Sequence, residues 1–151
     1  MRKALLIAIF ALSGCGDAPV YDPELYGFYQ EFLADCEASG RDCSRHVDAL
    51  EFKAIEANDD TIHALGGCSD SNGVVVVNID PSLRGANPYA IRHVLYHELG
   101  HCVLDADHTE SPFTIMGESL YGEYLWDELV TILKETPAQL WQQMLDEFFA
   151  Q

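Results

Sequence analysis

Apolar residues recur every three or four positions in several stretches of the chain, and this period predicts amphipathic helices. The predicted helices cover residues 23–39, 88–104, 121–134 and 137–149. Asp22, Asn87 and Thr136 each stand directly before a proline, which is the arrangement of an N-cap followed by the first helical residue. Gly40 is expected to end the first helix. The chain is therefore expected to be rich in helix at both ends.

Strand signals are concentrated between the first two predicted helices. Residues 74–79 read Val-Val-Val-Val-Asn-Ile, and this β-branched run gives the strongest strand prediction in the chain. Near alternation of apolar and charged residues predicts a half-buried strand over 47–57, and a short strand is predicted over 61–67. Residues 58–60 and 69–73 are predicted turns. Together the elements predict an α/β (α+β) fold with a small mixed sheet of three or four strands.

The composition indicates a single globular domain and argues against nucleic acid as a partner. The chain has 151 residues, of which 48% are hydrophobic and 22% charged, as in an ordinary globular domain. Eight Lys and Arg residues against 25 Asp and Glu residues give a formal net charge of -17. Because nucleic acids and anionic membrane surfaces would repel such a chain, no nucleic-acid partner is expected.

The N-terminus has the pattern of a bacterial export signal. Arg2 and Lys3 precede an apolar run over residues 4–12, which is about half the ~20 residues of a spanning helix. The sequence Leu-Ser-Gly-Cys ending at Cys15 resembles the lipobox of bacterial lipoproteins. This resemblance implies cleavage before Cys15 and acylation of that cysteine, with palmitate among the attached chains. An ordinary signal peptide that contains a cysteine is the alternative.

These N-terminal signals divide the chain into three parts. Residues 1–14 would be the lipoprotein signal peptide, residues 15–22 a lipidated tether, and residues 23–151 the folded domain. Gly16 follows the cysteine where an aspartate would resemble an inner-membrane retention signal. The expected location is therefore the bacterial cell envelope, either periplasmic or at the cell surface. The protein would be anchored by lipid, and we favour the outer membrane over the inner one.

Four cysteines remain once Cys15 is assigned to lipid: Cys36, Cys43, Cys68 and Cys102. An even number in an oxidising compartment predicts two disulfides, and three pairings are open. We favour Cys36 with Cys43, which closes a short turn after the first helix, and Cys68 with Cys102, which ties a strand region to a helix. A zinc site made of cysteines is disfavoured because no Cys-x-x-Cys occurs.

Residues 97–101 read His-Glu-Leu-Gly-His, the HExxH pattern, inside a predicted helix. Residues four apart lie one helical turn above each other, so His97 and His101 can bind one Zn²⁺. Glu98 would lie beside the metal, where a carboxylate can accept a proton from water. The alternative interpretation is a helix with two surface histidines.

Two later residues extend this pattern. His108 follows His101 by seven positions, and Met116 lies eight positions beyond His108. The stretch from residue 97 to 116 resembles the active-site signature of metzincin zinc peptidases, HExxHxxGxxH followed by a Met-turn. Two positions depart from that signature, because its glycine falls at Leu104 and its third ligand falls at Asp107.

The departures leave two interpretations of the third metal ligand. Asp107 is in register and resembles the aspartate of snapalysin-type peptidases. We favour His108, because Leu104 would resist the left-handed turn that the family's glycine permits. The chain would instead turn at Asp105 or Ala106 and deliver its ligand one residue late. Asp107 would then accept a hydrogen bond from a ligand imidazole.

A gluzincin-like site is a further alternative, with Glu123 or Glu128 of a downstream helix as the third ligand. It would make the position of Met116 a coincidence. Met116 also has a simpler interpretation as filler of the hydrophobic core.

The metzincin resemblance implies a zincin-like fold and a zinc metallopeptidase with one Zn²⁺ per chain. It implies that Glu98 acts as general base on a peptide or protein substrate, and that an edge strand pairs with the extended substrate. We expect residues 74–79 to be the strand next to the active-site cleft. The alternative function is a non-catalytic zinc-binding envelope lipoprotein that serves as a scaffold or binding protein.

Overall fold

The computed structural model of the chain describes residues 18–55, 65–111, 114–117 and 137–150. Its elements in chain order are β1 (Val20–Tyr21), α1 (Pro23–Ser39), β2 (Ala49–Phe52), β3 (Gly66–Ser71), β4 (Val74–Ile79), a 3₁₀ turn (Pro81–Leu83), α2 (Pro88–Leu104) and α3 (Pro137–Phe149). Several predictions lie outside the described residues: the export signal and Cys15, the turn over 58–60, the helix over 121–134 with Glu123 and Glu128, and the cap at Thr136.

The three described helices have the bounds that the sequence predicts. Asp22 accepts a hydrogen bond from the Glu24 N–H at 3.0 Å, and Asn87 accepts one from the Tyr89 N–H at 3.0 Å. These caps satisfy backbone donors that the first turn leaves without a partner. Gly40 ends α1 in the left-handed conformation, with φ of 74°. None of the helices in the described ranges is long and apolar enough to span a membrane.

The four strands form one mixed sheet in the order β1-β2-β4-β3. β1, β2 and β4 run parallel, and β3 runs antiparallel to β4 at the outside of the sheet. β4, which was expected next to the cleft, is an inner strand, and β3 takes the edge of the sheet that the described residues form. A two-residue turn at Asn72 and Gly73, with φ of 57° and 79°, folds the chain back and places β3 there.

The strand bounds differ from the prediction in the same region. Residues 69–71 were expected in a turn but belong to β3, because Asn72 and Gly73 alone make the reversal. β2 is shorter than the predicted 47–57 and covers Ala49–Phe52. β4 has the predicted bounds.

One hydrophobic core lies between the sheet and the helices. The sheet contributes the alternate residues Leu50, Val75, Val77 and Ile79, all buried. Tyr96 of α2 lies among the aromatic residues of this core, and its ring contacts those of Phe32, Trp141 and Phe148. Its hydroxyl donates to Asp35 Oδ2 at 2.7 Å, which satisfies the one polar atom of this buried ring. Both α1 and α3 thereby pack against the helix that carries the HExxH pattern.

Two disulfides are present, Cys36–Cys43 and Cys68–Cys102, which is the favoured pairing of the three. The first closes a short loop after α1. The second joins the edge strand β3 to α2. The Cys68–Cys102 disulfide therefore links β3 to the helix that carries the HExxH residues.

Candidate metal centre

Three histidine rings converge at the C-terminal half of α2. His97 and His101 lie one turn apart on α2, and His108 approaches from the segment that follows the helix. Their Nε2 atoms form a triangle with sides of 3.1 Å (His97–His101), 3.0 Å (His101–His108) and 3.2 Å (His97–His108). These three residues form the group of potential metal ligands in the part of the chain that the structure describes, and Asp107 is not a member of it.

Backbone carbonyls fix the orientation of the two helical imidazoles. The His97 Nδ1–H donates to the Ile115 carbonyl at 2.7 Å, and the His101 Nδ1–H donates to the Ala106 carbonyl at 2.8 Å. A carbonyl only accepts, so Nδ1 carries the proton and Nε2 presents its lone pair to the centre of the triangle. Burial lowers the pKa of His97 to about 4 and also lowers the pKa of His101. Both rings are therefore neutral at pH 7, the form that binds metal.

The donor set fits a divalent transition metal ion, zinc among them. Tetrahedral zinc with Zn–N bonds of about 2.0–2.1 Å holds its ligand nitrogens about 3.3 Å apart. The observed separations of 3.0 to 3.2 Å are close to that value. Imidazole nitrogens suit several ions of the first transition row, so the geometry indicates a metal site without selecting one metal.

The charges around the histidines favour a cation. Asp105, Asp107 and Glu110 are exposed on the segment that carries His108, and residues 105–111 contain no Lys or Arg. Such a field raises the local concentration of positive ions.

Asp105 adopts the left-handed conformation and turns the chain so that His108 reaches His97 and His101. Asp105 ends α2 with φ of 56° and ψ of 35°, and the N–H groups of Asp105 and Ala106 both donate to the Gly100 carbonyl. Aspartate tolerates this conformation better than leucine does. The turn thus occurs at one of the two positions that the sequence indicated, and the next imidazole that reaches the cluster is that of His108.

Met116 packs against α2 and is fully buried. Its contact with α2 depends on Gly100, because a Cβ at that position would lie 2.5 Å from the Met116 sulfur and 2.9 Å from a Phe148 ring carbon. The Thr109 N–H donates to the Met116 carbonyl at 2.8 Å, and Thr109 forms an isolated bridge with Gly117. These bonds close the segment after His108 on itself, and the bond from His97 to the Ile115 carbonyl ties it to α2.

Glu98 lies on the side of α2 that faces the edge strand and is 4% exposed. A Cβ on Gly66 of β3 would lie 2.5 Å from the Glu98 Oε1 atom, so only glycine leaves room for this carboxyl. Burial raises the pKa of Glu98 to about 7. The group can therefore take up and release a proton near neutral pH, as a general base must.

Gly66 was not among the residues that sequence analysis identified as part of the site. A glycine inside a strand marks a place where another group approaches closely, and this signal was available at Gly66 and Gly67. It does not say which group approaches. The contact with Glu98 joins residues 32 positions apart and becomes visible only in the fold.

His93 lies one turn before His97 and is buried. A hydrogen bond joins it to the backbone of Thr114, and burial lowers its pKa to about 3, so the ring is neutral. It is not a member of the three-histidine group.

No protein-family model, no curated protein and no solved structure matches this chain. The residues and distances of the site therefore carry the functional argument.

Proposed function

We propose that this protein is a zinc-dependent peptidase. The observation that carries the proposal is the convergence of three imidazoles, one of which is next in sequence to the buried carboxyl of Glu98. This combination provides the ligands and the general base of metal-assisted hydrolysis.

His97, His101 and His108 would hold one zinc ion per chain. A zinc ion bound by three histidines polarises a scissile carbonyl and makes water a nucleophile at neutral pH. Glu98 would take the proton from the attacking water and pass it to the leaving amine. A carboxyl can make both transfers, first as the base and then as the acid.

The edge strand provides a surface for the substrate backbone. The Asp80 N–H donates to the Leu65 carbonyl at 2.9 Å, and hydrogen-bonded pairs alternate along an antiparallel ladder. The backbone groups of Gly66, Cys68 and Asp70 therefore face away from β4. An extended peptide can add to such an edge through main-chain hydrogen bonds, with little demand on its sequence.

The number of ligands separates a catalytic site from a structural one. Structural zinc sites are closed by four protein ligands, whereas catalytic sites use three and keep a position for water or substrate. In the described part of the chain the group has three members. Within the described residues this supports the peptidase over the non-catalytic zinc-binding lipoprotein, whose closed site would add Asp107 to the three histidines.

We further propose that acylated Cys15 attaches this domain to a bilayer of the bacterial cell envelope. The support is the lipobox resemblance, since several acyl chains give stable attachment without a spanning helix. Cys15→Ala should move the protein from the membrane fraction to the soluble fraction.

Glu98→Gln tests the proposed base. We expect peptide hydrolysis to fall by about 10²- to 10⁴-fold, the usual contribution of a general base, while one zinc per chain stays bound. Glu110→Gln is the matched control, because it removes the same charge from an exposed position near His108. Full activity of Glu98→Gln would show that Glu98 is not the base.

A further inference from the structure

β3 is an edge strand with almost no apolar side chains. Its sequence is Gly-Gly-Cys-Ser-Asp-Ser, whereas β4 beside it reads Val-Val-Val-Val-Asn-Ile. Glycine, serine and aspartate are poor strand formers, because they bring little side-chain burial to a sheet. Hydrogen bonds to β4 hold one side of β3, and the opposite side is the proposed substrate edge. Few side chains of β3 can therefore pack on α2, and it is Glu98 and Val94 of α2 that lie against the bare backbone of Gly66.

One covalent bond also joins β3 to α2. Cys68, in the middle of β3, forms a disulfide with Cys102 of α2. Cys102 directly follows the metal-ligand candidate His101, and Cys68 lies two residues from Gly66, which contacts Glu98. Cys68 is also one of the residues whose backbone groups point away from β4, toward the side of β3 on which no other described strand lies. The disulfide thus connects the strand that would receive a substrate to the helix that carries two ligands and the base.

We propose that the Cys68–Cys102 disulfide is a positioning element that sets the separation between the substrate edge and the metal centre. This inference rests on the proposed peptidase function. A peptide paired with Gly66, Cys68 and Asp70 has its scissile carbonyl placed by the position of β3. Because errors of about 1 Å in placement can cost about 10²-fold in rate, an edge strand with small side chains needs a fixed attachment.

The bond can be broken without changing the sequence. A phosphine gives two electrons to the disulfide and becomes a phosphine oxide with oxygen from water, and the two protons of that water complete the thiols of Cys68 and Cys102. β3 then keeps its hydrogen bonds to β4 and its contact with Glu98 at Gly66, and loses its covalent attachment to α2.

The experiment compares two double variants of the full chain, each loaded with zinc. Cys68→Ala/Cys102→Ala removes the proposed positioning bond, and Cys36→Ala/Cys43→Ala removes the disulfide after α1 as the matched control. Two probes are titrated: acetohydroxamate, which needs the metal alone, and a short peptide hydroxamate, which needs the metal and the edge strand. KM and kcat for an unstructured peptide are measured in parallel.

We expect Cys68→Ala/Cys102→Ala to bind the peptide hydroxamate about tenfold more weakly, as after the loss of one or two backbone hydrogen bonds, and to bind acetohydroxamate as the wild type does. Because the scissile carbonyl is misplaced, kcat/KM should fall by at least a similar factor, and kcat should fall as well. The control should match the wild type with both probes. Unchanged affinity for both probes would overturn the proposal, and so would an equal loss for both. In either case the disulfide would have no specific effect on binding at the edge strand.

A second measurement covers the case in which Cys68→Ala/Cys102→Ala does not fold. In folded Cys36→Ala/Cys43→Ala the remaining disulfide is Cys68–Cys102, so treatment with a phosphine reduces that bond alone. Selective loss of peptide-hydroxamate affinity, regained on reoxidation, is expected, and no change would reject the positioning role. If the wild type binds both hydroxamates but cleaves no peptide, hydrolysis fails while the positioning test still stands. Failure of the zinc-loaded wild type to bind acetohydroxamate would instead overturn the metal site and this inference with it.

Discussion

Two glycines make room for the side chains that define the site. Gly66 lets the Glu98 carboxyl lie against β3, and Gly100 lets Met116 and Phe148 lie against α2. The HExxH pattern leaves the fourth position open, so the pattern itself does not explain why Gly100 stands there. The reason is a contact with residues far along the chain, which composition and periodicity do not reveal.

Adjacent glycines in β3 offer a matched pair of substitutions. A Cβ at Gly66 would clash with Glu98, whereas a Cβ at Gly67 would meet Ile55 at an ordinary 3.6 Å. We expect Gly66→Ala to destabilise the protein by about 1–3 kcal/mol, as overpacked sites do, and to lower peptide hydrolysis strongly because Glu98 is displaced. Gly67→Ala should change the free energy of unfolding by less than about 1 kcal/mol. Urea denaturation and a hydrolysis assay measure both effects, and equal effects of the two variants would contradict the contact.

The burial of Glu98 should cost stability in the metal-free protein. Its pKa is about 7 in the fold against 4.5 in the unfolded chain, so folding disfavours the ionised form. The contribution of Glu98 to the free energy of unfolding is therefore fully present below pH 4.5 and is lost as the pH rises through 7. At pH 8 the loss is about 3 kcal/mol.

Glu98→Gln should therefore stabilise the metal-free protein at pH 8 and have little effect at pH 4. Denaturant unfolding at the two pH values measures this difference. The same change in stability at both pH values would show that ionisation of Glu98 is not the cause.

Elements with local signals could be predicted from the sequence, and those set by distant pairing could not. The bounds of α1, α2 and α3 follow from caps, prolines and apolar periodicity, all of which act within a few residues. β3 was misplaced because its glycine and serine residues carry no hydrophobic pattern. Its place at the sheet edge depends on the turn at Asn72 and Gly73 and on pairing with β4, and these are relations between segments.

The loop that carries His108 was predictable in part. Leu104, at the position of the glycine in the metzincin pattern, indicated a delayed turn, and the structure has that turn at Asp105. The sequence left Asp107 and His108 as alternatives, because one residue of register decides between them. The left-handed backbone at Asp105 settles which side chain joins the cluster in the fold.

Substitutions at Asp105 test this delivery. Asp105→Gly should keep zinc affinity, because glycine accepts positive φ freely. Asp105→Val should destabilise the protein by roughly 1–2 kcal/mol and weaken zinc binding about tenfold, because the turn shifts and His108 moves away. Competition with a chromophoric chelator measures the affinity, with Asp107→Val as the control at an exposed position without positive φ. Equal zinc affinity of Asp105→Val and the control would contradict the role of the turn.

The described parts of the chain converge on one site. α2 carries two histidines and the carboxyl, the segment after it carries the third histidine and Met116, and β3 covers the carboxyl side. One core connects α2 to the sheet and to α1 and α3. The α/β class followed from the sequence because it needs only the types of element. The positions of the strands around α2 depend on the order of the sheet, which the types of element alone do not predict.

The net charge of -17 also acts on the protein as a whole. Like charges repel in the folded state, and a bound cation at the three histidines would reduce that repulsion locally. An ion that binds the fold more tightly than the unfolded chain would add to stability.

Zinc stoichiometry of the purified protein, compared with His108→Ala and Asp107→Ala, tests the central claim most directly. We predict one zinc per chain in the wild type and in Asp107→Ala, and loss of that zinc in His108→Ala. Retention of zinc by His108→Ala with loss in Asp107→Ala would contradict the ligand set. Absence of zinc from the wild type after zinc has been added would contradict the metal centre and the peptidase proposed from it.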